Sequence, residues 1–283
     1  MEIHENIVVV QGIKTHYYQA GSKGSIVVLL HGGGTDSAHL SWGKLIAPLA
    51  ASGHRVFAPD MPGYGGSERP DIPSTTAFYL DFLKAFLDEL KLDKVTLMGL
   101  SMGGGIALGF TLENPKRVEK LVLVDSYGIQ RKVAMHFLSW LMVKIPGIMQ
   151  VSMNWMKSSR SAIRWSMGSI MHDKANLTEE LLDELVEESA KPNCGRAFLS
   201  YQREEVLANG LKTVYIDRLH EIKVSTLLVH GEFDTAVPLA CAEEAHQRIV
   251  DSKLEIIPGA GHWPQREKPE EFNKVVIRFL QKP

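Results

Sequence analysis

Three residues that lie far apart in the sequence have the side chains needed for nucleophilic catalysis. Ser101 is the centre of a Gly-x-Ser-x-Gly pattern at 99–103, Asp234 follows an apolar run, and His262 lies in a glycine-rich loop. A serine hydroxyl needs a base to become a nucleophile, and that base needs a carboxylate to fix its tautomer. The order Ser, Asp, His is the chain order that accompanies this pattern. The sequence therefore predicts Ser101, His262 and Asp234 as nucleophile, base and acid.

The turn that carries Ser101 is predicted to be sharp. An apolar run at 94–98 precedes it and a helix-like segment at 104–110 follows it, which is the strand-turn-helix context that the pattern requires. Such a turn holds the serine in a strained backbone conformation. Gly99 and Gly103 leave room for it because they lack a side chain.

A second glycine-rich segment follows the apolar run 25–30. Gly32, Gly33 and Gly34 are consecutive, so their backbone N–H groups can turn toward an anion without interference from side chains. We expect an oxyanion hole that combines the N–H of Met102, the residue after the nucleophile, with the N–H of Gly33 or Gly34.

Other polar residues compete for these roles. Asp125, at the end of the predicted strand 121–124, is the main alternative to Asp234 as the acid, and Glu232 is another. Asp60 lies in a turn-rich segment, where a carboxylate is expected to accept backbone hydrogen bonds. His31 precedes the glycines and is expected to brace them.

The elements that must position these residues alternate along the chain. Strands are predicted at 7–10, 14–18, 25–30, 54–58, 94–98, 121–124, 224–230 and 254–257, with helices between most of them. This pattern is typical of an α/β fold with a largely parallel sheet and right-handed crossovers. Each candidate catalytic residue then follows the carboxyl end of a strand, where open parallel sheets bind their ligands.

The alternation is interrupted between about residues 128 and 216, where only helical patterns occur. The sequence predicts a core domain of residues 1–127 and 217–283, with an all-helical cap, residues 128–216, inserted into it. The cap contains seven of the eleven methionines and three of the five tryptophans, and a methionine-rich wall suits an apolar substrate. We expect Met153 and Trp165 of the cap, and Trp263 beside His262, to contact the substrate.

Composition excludes several functional classes. The chain has 283 residues, 45% of them hydrophobic, and a formal net charge of −2. Lysines and arginines are scattered, so we expect no nucleic-acid partner and no stable membrane association. The N-terminus lacks the pattern of a secretory signal, which predicts a cytoplasmic protein. Cys194 and Cys241 form no metal-binding or disulfide pattern.

Taken together, these motifs resemble the α/β-hydrolase superfamily over essentially the whole chain. The matching segments are 31–34, 60–67, 99–104, 231–234 with 237–238, and 261–263. The resemblance implies an eight-stranded, mostly parallel sheet flanked by helices, with the cap inserted after strand six. It implies neither a metal nor an organic cofactor.

The reaction is less constrained than the fold. Segments 261–265 and 271–273 resemble hydrolases that cleave a carbon–carbon bond in meta-ring-fission products. Those enzymes usually carry Asn before the nucleophile and Pro-Gly after the glycines, where this chain has Leu100 and Thr35-Asp36. These departures favour an esterase that cleaves a small to medium carboxylic ester through an acyl-enzyme, as a monomer or homodimer. Carbon–carbon hydrolysis, with Arg164 and Trp165 near an acidic dienoate, is the alternative; lactonase, thioesterase and non-catalytic receptor functions also stay open.

Overall fold

The computed structural model describes residues 2–281. Eight strands form one sheet: β1 (Ile3–Val10), β2 (Ile13–Ala20), β3 (Ile26–Leu30), β4 (Arg55–Pro59), β5 (Val95–Leu100), β6 (Val118–Val124), β9 (Ser225–Gly231) and β10 (Ser252–Ile257). Their spatial order is β1-β2-β4-β3-β5-β6-β9-β10. β1 and β2 are antiparallel to their neighbours, and the other pairs are parallel. The predicted α/β fold and eight-stranded sheet are confirmed.

Helices cover both faces of the sheet. They are α1 (Ala38–Ala51), α2 (Thr76–Glu89), α3 (Met102–Glu113), α9 (Leu239–Arg248), the short α10 (Pro264–Glu267) and α11 (Pro269–Leu280). One core contains Phe82 of α2 and Ile106 of α3, and the other contains Trp42 of α1 and Phe272 of α11. All six residues of β5 are buried, because this central strand is covered on both sides.

Five α-helices lie between β6 and β9, in the segment predicted as the cap. They are α4 (His136–Lys144), α5 (Ile148–Met156), α6 (Arg160–Met167), α7 (Glu179–Ala190) and α8 (Arg196–Glu205). The segment also contains a two-stranded hairpin, β7 (Val206–Leu207) and β8 (Gly210–Leu211), that was not predicted. Strands of two residues are too short to produce an alternating pattern in a sequence.

Both ends of the cap segment leave the core at one place. The N–H of Tyr215 donates to the carbonyl of Gly128 over 2.7 Å. Near this junction Glu205, which is buried, accepts hydrogen bonds from the hydroxyls of Thr76 and Tyr127 and from the N–H of Thr213. One carboxylate therefore joins the start of α2 to both ends of the cap segment.

Some element boundaries differ from the predictions. Helix α1 begins at Ala38 rather than near residue 42, because the Ser37 hydroxyl accepts a hydrogen bond from the N–H of Leu40 and caps the helix. Helix α10 directly after Trp263 was not predicted. Within the described residues, no helix combines the length and the apolar character needed to span a bilayer.

Candidate active site

Ser101 occupies the strained turn that its sequence context predicts. It links β5 to α3 with φ of +48° and ψ of −115°. A Cβ atom on Gly99 would lie 2.2 Å from the carbonyl oxygen of Gly103, and one on Gly103 would lie 2.4 Å from that of His31. The Ser101 N–H donates to the carbonyl of Val124 over 2.9 Å, which ties the turn to β6. Only glycine fits at these two flanking positions.

Asp234 and His262 form a hydrogen-bonded pair. The imidazole Nδ1 lies 2.8 Å from Asp234 Oδ2, and the other carboxylate oxygen accepts from the N–H groups of Ala236 and Val237. Burial tends to raise the pKa of Asp234, but the bond with His262 and the backbone donors outweigh it and lower the pKa. Asp234 is therefore an ionised acceptor.

Because Asp234 uses Nδ1 of His262, Nε2 is the ring nitrogen left to accept a proton. His262 and Ser101 line the same cavity, whose volume is about 310 Å³. The loop of His262 is fixed by its N–H, which donates to the carbonyl of Ile170 over 2.7 Å. The structure thus brings together the three residues that the sequence singled out.

The two competing carboxylates do not contact His262 in this way. Glu232 accepts a hydrogen bond from the N–H of Gly259 over 2.9 Å and supports a loop. Asp125 is completely buried, and its Oδ1 accepts from the N–H of Gly231. Burial, followed by the charge of Asp234, raises the pKa of Asp125 well above its usual range. Asp125 is therefore a neutral acid.

The glycine loop is held by a residue that we did not single out as functional. Asp36 accepts hydrogen bonds from the N–H groups of Gly32 and Ser37 and from the hydroxyl of Ser41. All three glycines line the cavity, but the N–H of Gly32 is used by Asp36. An acidic residue just before a helix cap is the one signal in the sequence that points to Asp36.

The Met102 N–H lies at the N-terminus of the helix that directly follows Ser101. Met102 is the first residue of α3, and the first N–H groups of a helix have no partner inside the helix. It stays the predicted oxyanion donor, together with Gly33 or Gly34, which line the same cavity as Ser101.

His31 and Asp60 support the site from behind. The N–H of Met61 donates to His31 Nε2, so the proton is on Nδ1, which donates to the carbonyl of Gly32 over 2.7 Å. Burial lowers the pKa of His31 to about 4, so the ring is neutral. Asp60 accepts from the N–H groups of Ala38 and Gly66. Both residues have the structural roles that were predicted.

Two of the three predicted substrate contacts lie in the cavity. Met153 and Trp263 line it, but Trp165 does not. Trp165 is 70% exposed and packs against Trp155 on the outer face of the protein. The reason is the direction of α6: Ile163 and Met167 face the cavity four residues apart, so Trp165 between them points away.

The cavity also contains two residues that the sequence did not indicate. Phe198 of α8 covers the glycine loop so closely that a Cβ atom on Gly33 would lie 2.5 Å from its ring. Lys157 is the one Lys, Arg, Asp or Glu among the described lining residues. Arg164, by contrast, pairs with Glu179 on the surface and does not line the cavity.

One group of side chains has the composition of a metal site. Potential ligand atoms of Asp125, Asp234 and His262 lie within 4.8 Å of one another. Nδ1 of His262 and Oδ2 of Asp234 bind each other, and Asp125 Oδ1 accepts from the N–H of Gly231. These hydrogen bonds account for the cluster as part of the candidate triad and its support.

The fold and this constellation define an α/β hydrolase. The chain belongs to the alpha/beta hydrolase fold family, whose model matches residues 26–269. It is 33% identical over 275 residues to 2-hydroxy-6-oxo-6-phenylhexa-2,4-dienoate hydrolase of Comamonas testosteroni, covering 94% of this chain and 91% of the relative.

Solved structures of hydrolases are also similar to this chain. A meta-cleavage product hydrolase from Pseudomonas fluorescens IP01 matches with a TM-score of 0.81 and 26% identity over 97% of both chains. A carboxylesterase from Bacillus subtilis matches with a TM-score of 0.77 and 26% identity, over 99% of this chain and 92% of the other. The resemblance to the superfamily is confirmed; an ester substrate is supported less directly than the ring-fission alternative.

Proposed function

We propose that this chain is a serine hydrolase in which Ser101 attacks the carbonyl carbon of its substrate. His262 takes the serine proton through Nε2, while Asp234 fixes its tautomer and stabilises the imidazolium. The backbone N–H groups of Met102 and of Gly33 or Gly34 hold the oxyanion. His262 then protonates the leaving group, and water hydrolyses the acyl-enzyme by the same steps.

We further propose that the bond cleaved is the carbon–carbon bond of a 2-hydroxy-6-oxo-dienoate. The names of the relatives support this reaction. A carbon leaving group needs its electron pair delocalised, which the conjugated dienoate provides, and it needs a proton, which His262 provides.

The observation that carries this proposal is the position of Lys157. Its ammonium donates to the carbonyl of Cys194 over 3.1 Å, and an ammonium has three protons to donate. Lys157 thus offers a counter-charge for the carboxylate of a dienoate within an otherwise apolar or neutral wall. The same role was predicted for Arg164, which its pairing with Glu179 now excludes.

A second candidate is the hydrolysis of a carboxylic ester. Most of the remaining lining is formed by Met, Ile, Leu, Phe and Trp side chains, which suits an acyl chain without charge. Leu100, which precedes the nucleophile, is fully buried and supplies no polar group. The likeness to the carboxylesterase supports the same substrate class.

The helical segment 128–216 is proposed to act as the lid of this site. It contributes Met153, Met156 and Phe198 to the cavity, whereas Ser101 and His262 come from the core. Substrate is therefore enclosed between the two parts of the chain.

Turnover of a meta-ring-fission dienoate beside a series of p-nitrophenyl esters tests the proposal. We expect the dienoate to have the higher kcat/KM and Ser101→Ala to abolish both activities. Lys157→Met should lower kcat/KM for the dienoate by about tenfold or more, since a lost charge-assisted contact costs about 1.5–3 kcal/mol, and should leave the esters unaffected.

Lys132→Met is the matched control, because Lys132 is an exposed lysine of the same segment that does not line the cavity. Faster turnover of esters, with an equal effect of Lys157→Met on both substrates, would establish the esterase instead. No turnover of any substrate by the parent would point to a ligand receptor.

A further inference from the structure

A second cavity, of about 380 Å³, lies on the other side of helix α8 from the substrate site. Phe198 of α8 faces the substrate cavity, whereas Arg196, Ser200 and Arg203 of the same helix line the second one. Arg69, from the segment between β4 and α2, forms the facing wall. We call this cavity the arginine pocket.

The three arginines of this pocket differ from all the others in the described chain. The chain has twelve arginines. Nine are accounted for by a carboxylate partner or an aromatic ring: Arg55, Arg117, Arg131, Arg160, Arg164, Arg218, Arg248, Arg266 and Arg278. Within residues 2–281, the guanidinium groups without such a partner are those of Arg69, Arg196 and Arg203. The unpaired arginines are thus gathered in one place.

Their positions concentrate positive charge on one side of α8, where Arg196 and Arg203 are exposed. Arg196 and Arg203 are seven residues apart, so they lie on the same face of α8. Arg69 is partly buried, and its Nε is inaccessible and has no hydrogen-bond partner. Glu204 is the one carboxylate of the described lining, and it lies 4.0 Å from Lys212. Three arginines against one glutamate leave two positive charges in excess.

The side chains around the pocket indicate the chemistry of a ligand. Guanidinium groups bind carboxylate and phosphate oxygens in a planar, bidentate manner. The Ser200 hydroxyl accepts from the N–H of Ser74 and can donate its own proton, and the amide of Gln150 adds a further donor. All of these groups offer protons to oxygen acceptors.

We propose that the arginine pocket binds a compact oxyanion with at least two negative charges, a phosphate ester or a polycarboxylate. The site is separate from the catalytic cavity, and α8 forms the wall between them. The proposal is independent of which bond the enzyme cleaves.

Calorimetric titration of the full chain with pyrophosphate and with citrate, at constant ionic strength, tests this site. We expect saturable binding of one anion per chain. Arg196→Gln/Arg203→Gln should weaken it by about tenfold or more, because two charge-assisted contacts are lost. Arg218→Gln/Arg278→Gln removes the same charge from the exposed surface and should bind like the parent.

A further variant separates this site from the catalytic one. Lys157→Met should retain the binding, because Lys157 lies in the substrate cavity. If the double variant fails to fold, Arg196→Gln and Arg203→Gln are measured singly, and each should show part of the loss. Binding of pyrophosphate alone would identify a phosphate ligand, and binding of citrate alone a carboxylate. Unchanged affinity in the arginine variants, or no saturable binding by the parent, would overturn the proposal.

Discussion

Asp125 and Asp234 are two buried carboxyl groups that lie together behind His262, and only Asp234 is ionised. They follow the adjacent strands β6 and β9, and their oxygen atoms lie within 4.8 Å of each other. Two carboxylates in such a site do not both ionise, because their charges repel each other. Asp234 has the histidine and two backbone donors, so the proton resides on Asp125.

This difference predicts opposite results for two equivalent substitutions. Asp234→Asn should lower kcat by about 10⁴, because the imidazole loses the partner that fixes its tautomer. Asp125→Asn keeps an uncharged side chain whose oxygen can accept from the N–H of Gly231, and it should retain kcat near the parent value. Steady-state kinetics at pH 8 compares them. A larger loss of kcat in Asp125→Asn than in Asp234→Asn would show that Asp125, which follows β6, is the acid of the triad.

Substitution of Gly33 tests the packing of Phe198 on the oxyanion loop. Gly33→Ala places a Cβ atom 2.5 Å from the Phe198 ring, so the loop must move and kcat should fall by about 10². Phe198→Ala in the same chain removes the clash and should restore part of the rate.

Gly34→Ala is the comparison for that experiment. A Cβ atom there meets no heavy atom within 4 Å, but φ is +84°, which costs about 1–2 kcal/mol of strain. Phe198→Ala should therefore give no rescue of Gly34→Ala. Equal rescue of both alanine variants would contradict a specific clash with Phe198.

Asp36 should make stability depend on pH. Burial raises its pKa to about 7, against the hydrogen bonds of Ser41, Ser37 and Gly32, which lower it. The pKa of Asp36 is higher in the folded chain than in the unfolded chain. The free energy of unfolding therefore falls as Asp36 ionises, between about pH 4 and about pH 7. The full loss is up to about 4 kcal/mol.

Asp36→Asn lacks this titration. The free energy of unfolding of the parent, minus that of the variant, should fall over this pH range and then level off. Urea denaturation at several pH values measures both free energies of unfolding. The test is how their difference changes with pH, not its absolute value. A difference that does not vary with pH would show that Asp36 is ionised throughout.

The two tryptophans predicted as substrate contacts should now behave differently. Trp263→Phe should raise KM, because Trp263 lines the cavity beside His262. Trp165→Phe should leave kcat and KM unchanged, because this ring is exposed. Kinetics on the preferred substrate of the parent decides, with the melting temperature as a check on folding. An effect of Trp165→Phe alone would place the substrate on the outer face.

Glu205 should be important for stability rather than for the reaction. Glu205→Ala removes the acceptor of the Thr76 and Tyr127 hydroxyls and of the buried Thr213 N–H, and should cost about 3 kcal/mol or more. Glu205→Gln keeps an acceptor and should cost about 1 kcal/mol. Urea denaturation gives both values. Equal losses would show that the negative charge, and not the acceptor, is required.

The arrangement of the three candidate catalytic residues could be predicted because the position of each depends on local sequence. Ser101 lies between the two glycines of a sharp turn, and Asp234 and His262 each follow a strand whose end faces the same edge of the sheet. Glycines and short apolar runs are visible in one sequence, and the topology then brings their ends together.

The cap was predicted less completely for a physical reason. Its helices are apolar on more than one side: Met153 faces the cavity, whereas Trp155, two residues later, is 52% exposed. Periodicity cannot select the inner face of such a helix, and so Trp165 was assigned to the cavity. Lys157 and Phe198 depend on how separate helices pack, which no local pattern records.

The hydrogen bond from Tyr215 to Gly128 means that the segment between these residues can be replaced as a unit. The chain leaves the sheet and returns to it at this one hydrogen-bonded pair. The segment between the two residues can therefore be replaced by another without changing the distance between its ends. Under the proposed function, the sheet keeps the reactive groups, and the segment between these two residues selects the molecule that reaches them. Grafting the corresponding segment of a related hydrolase between these two residues is therefore a direct way to change the substrate range while the sheet and its candidate catalytic residues stay the same.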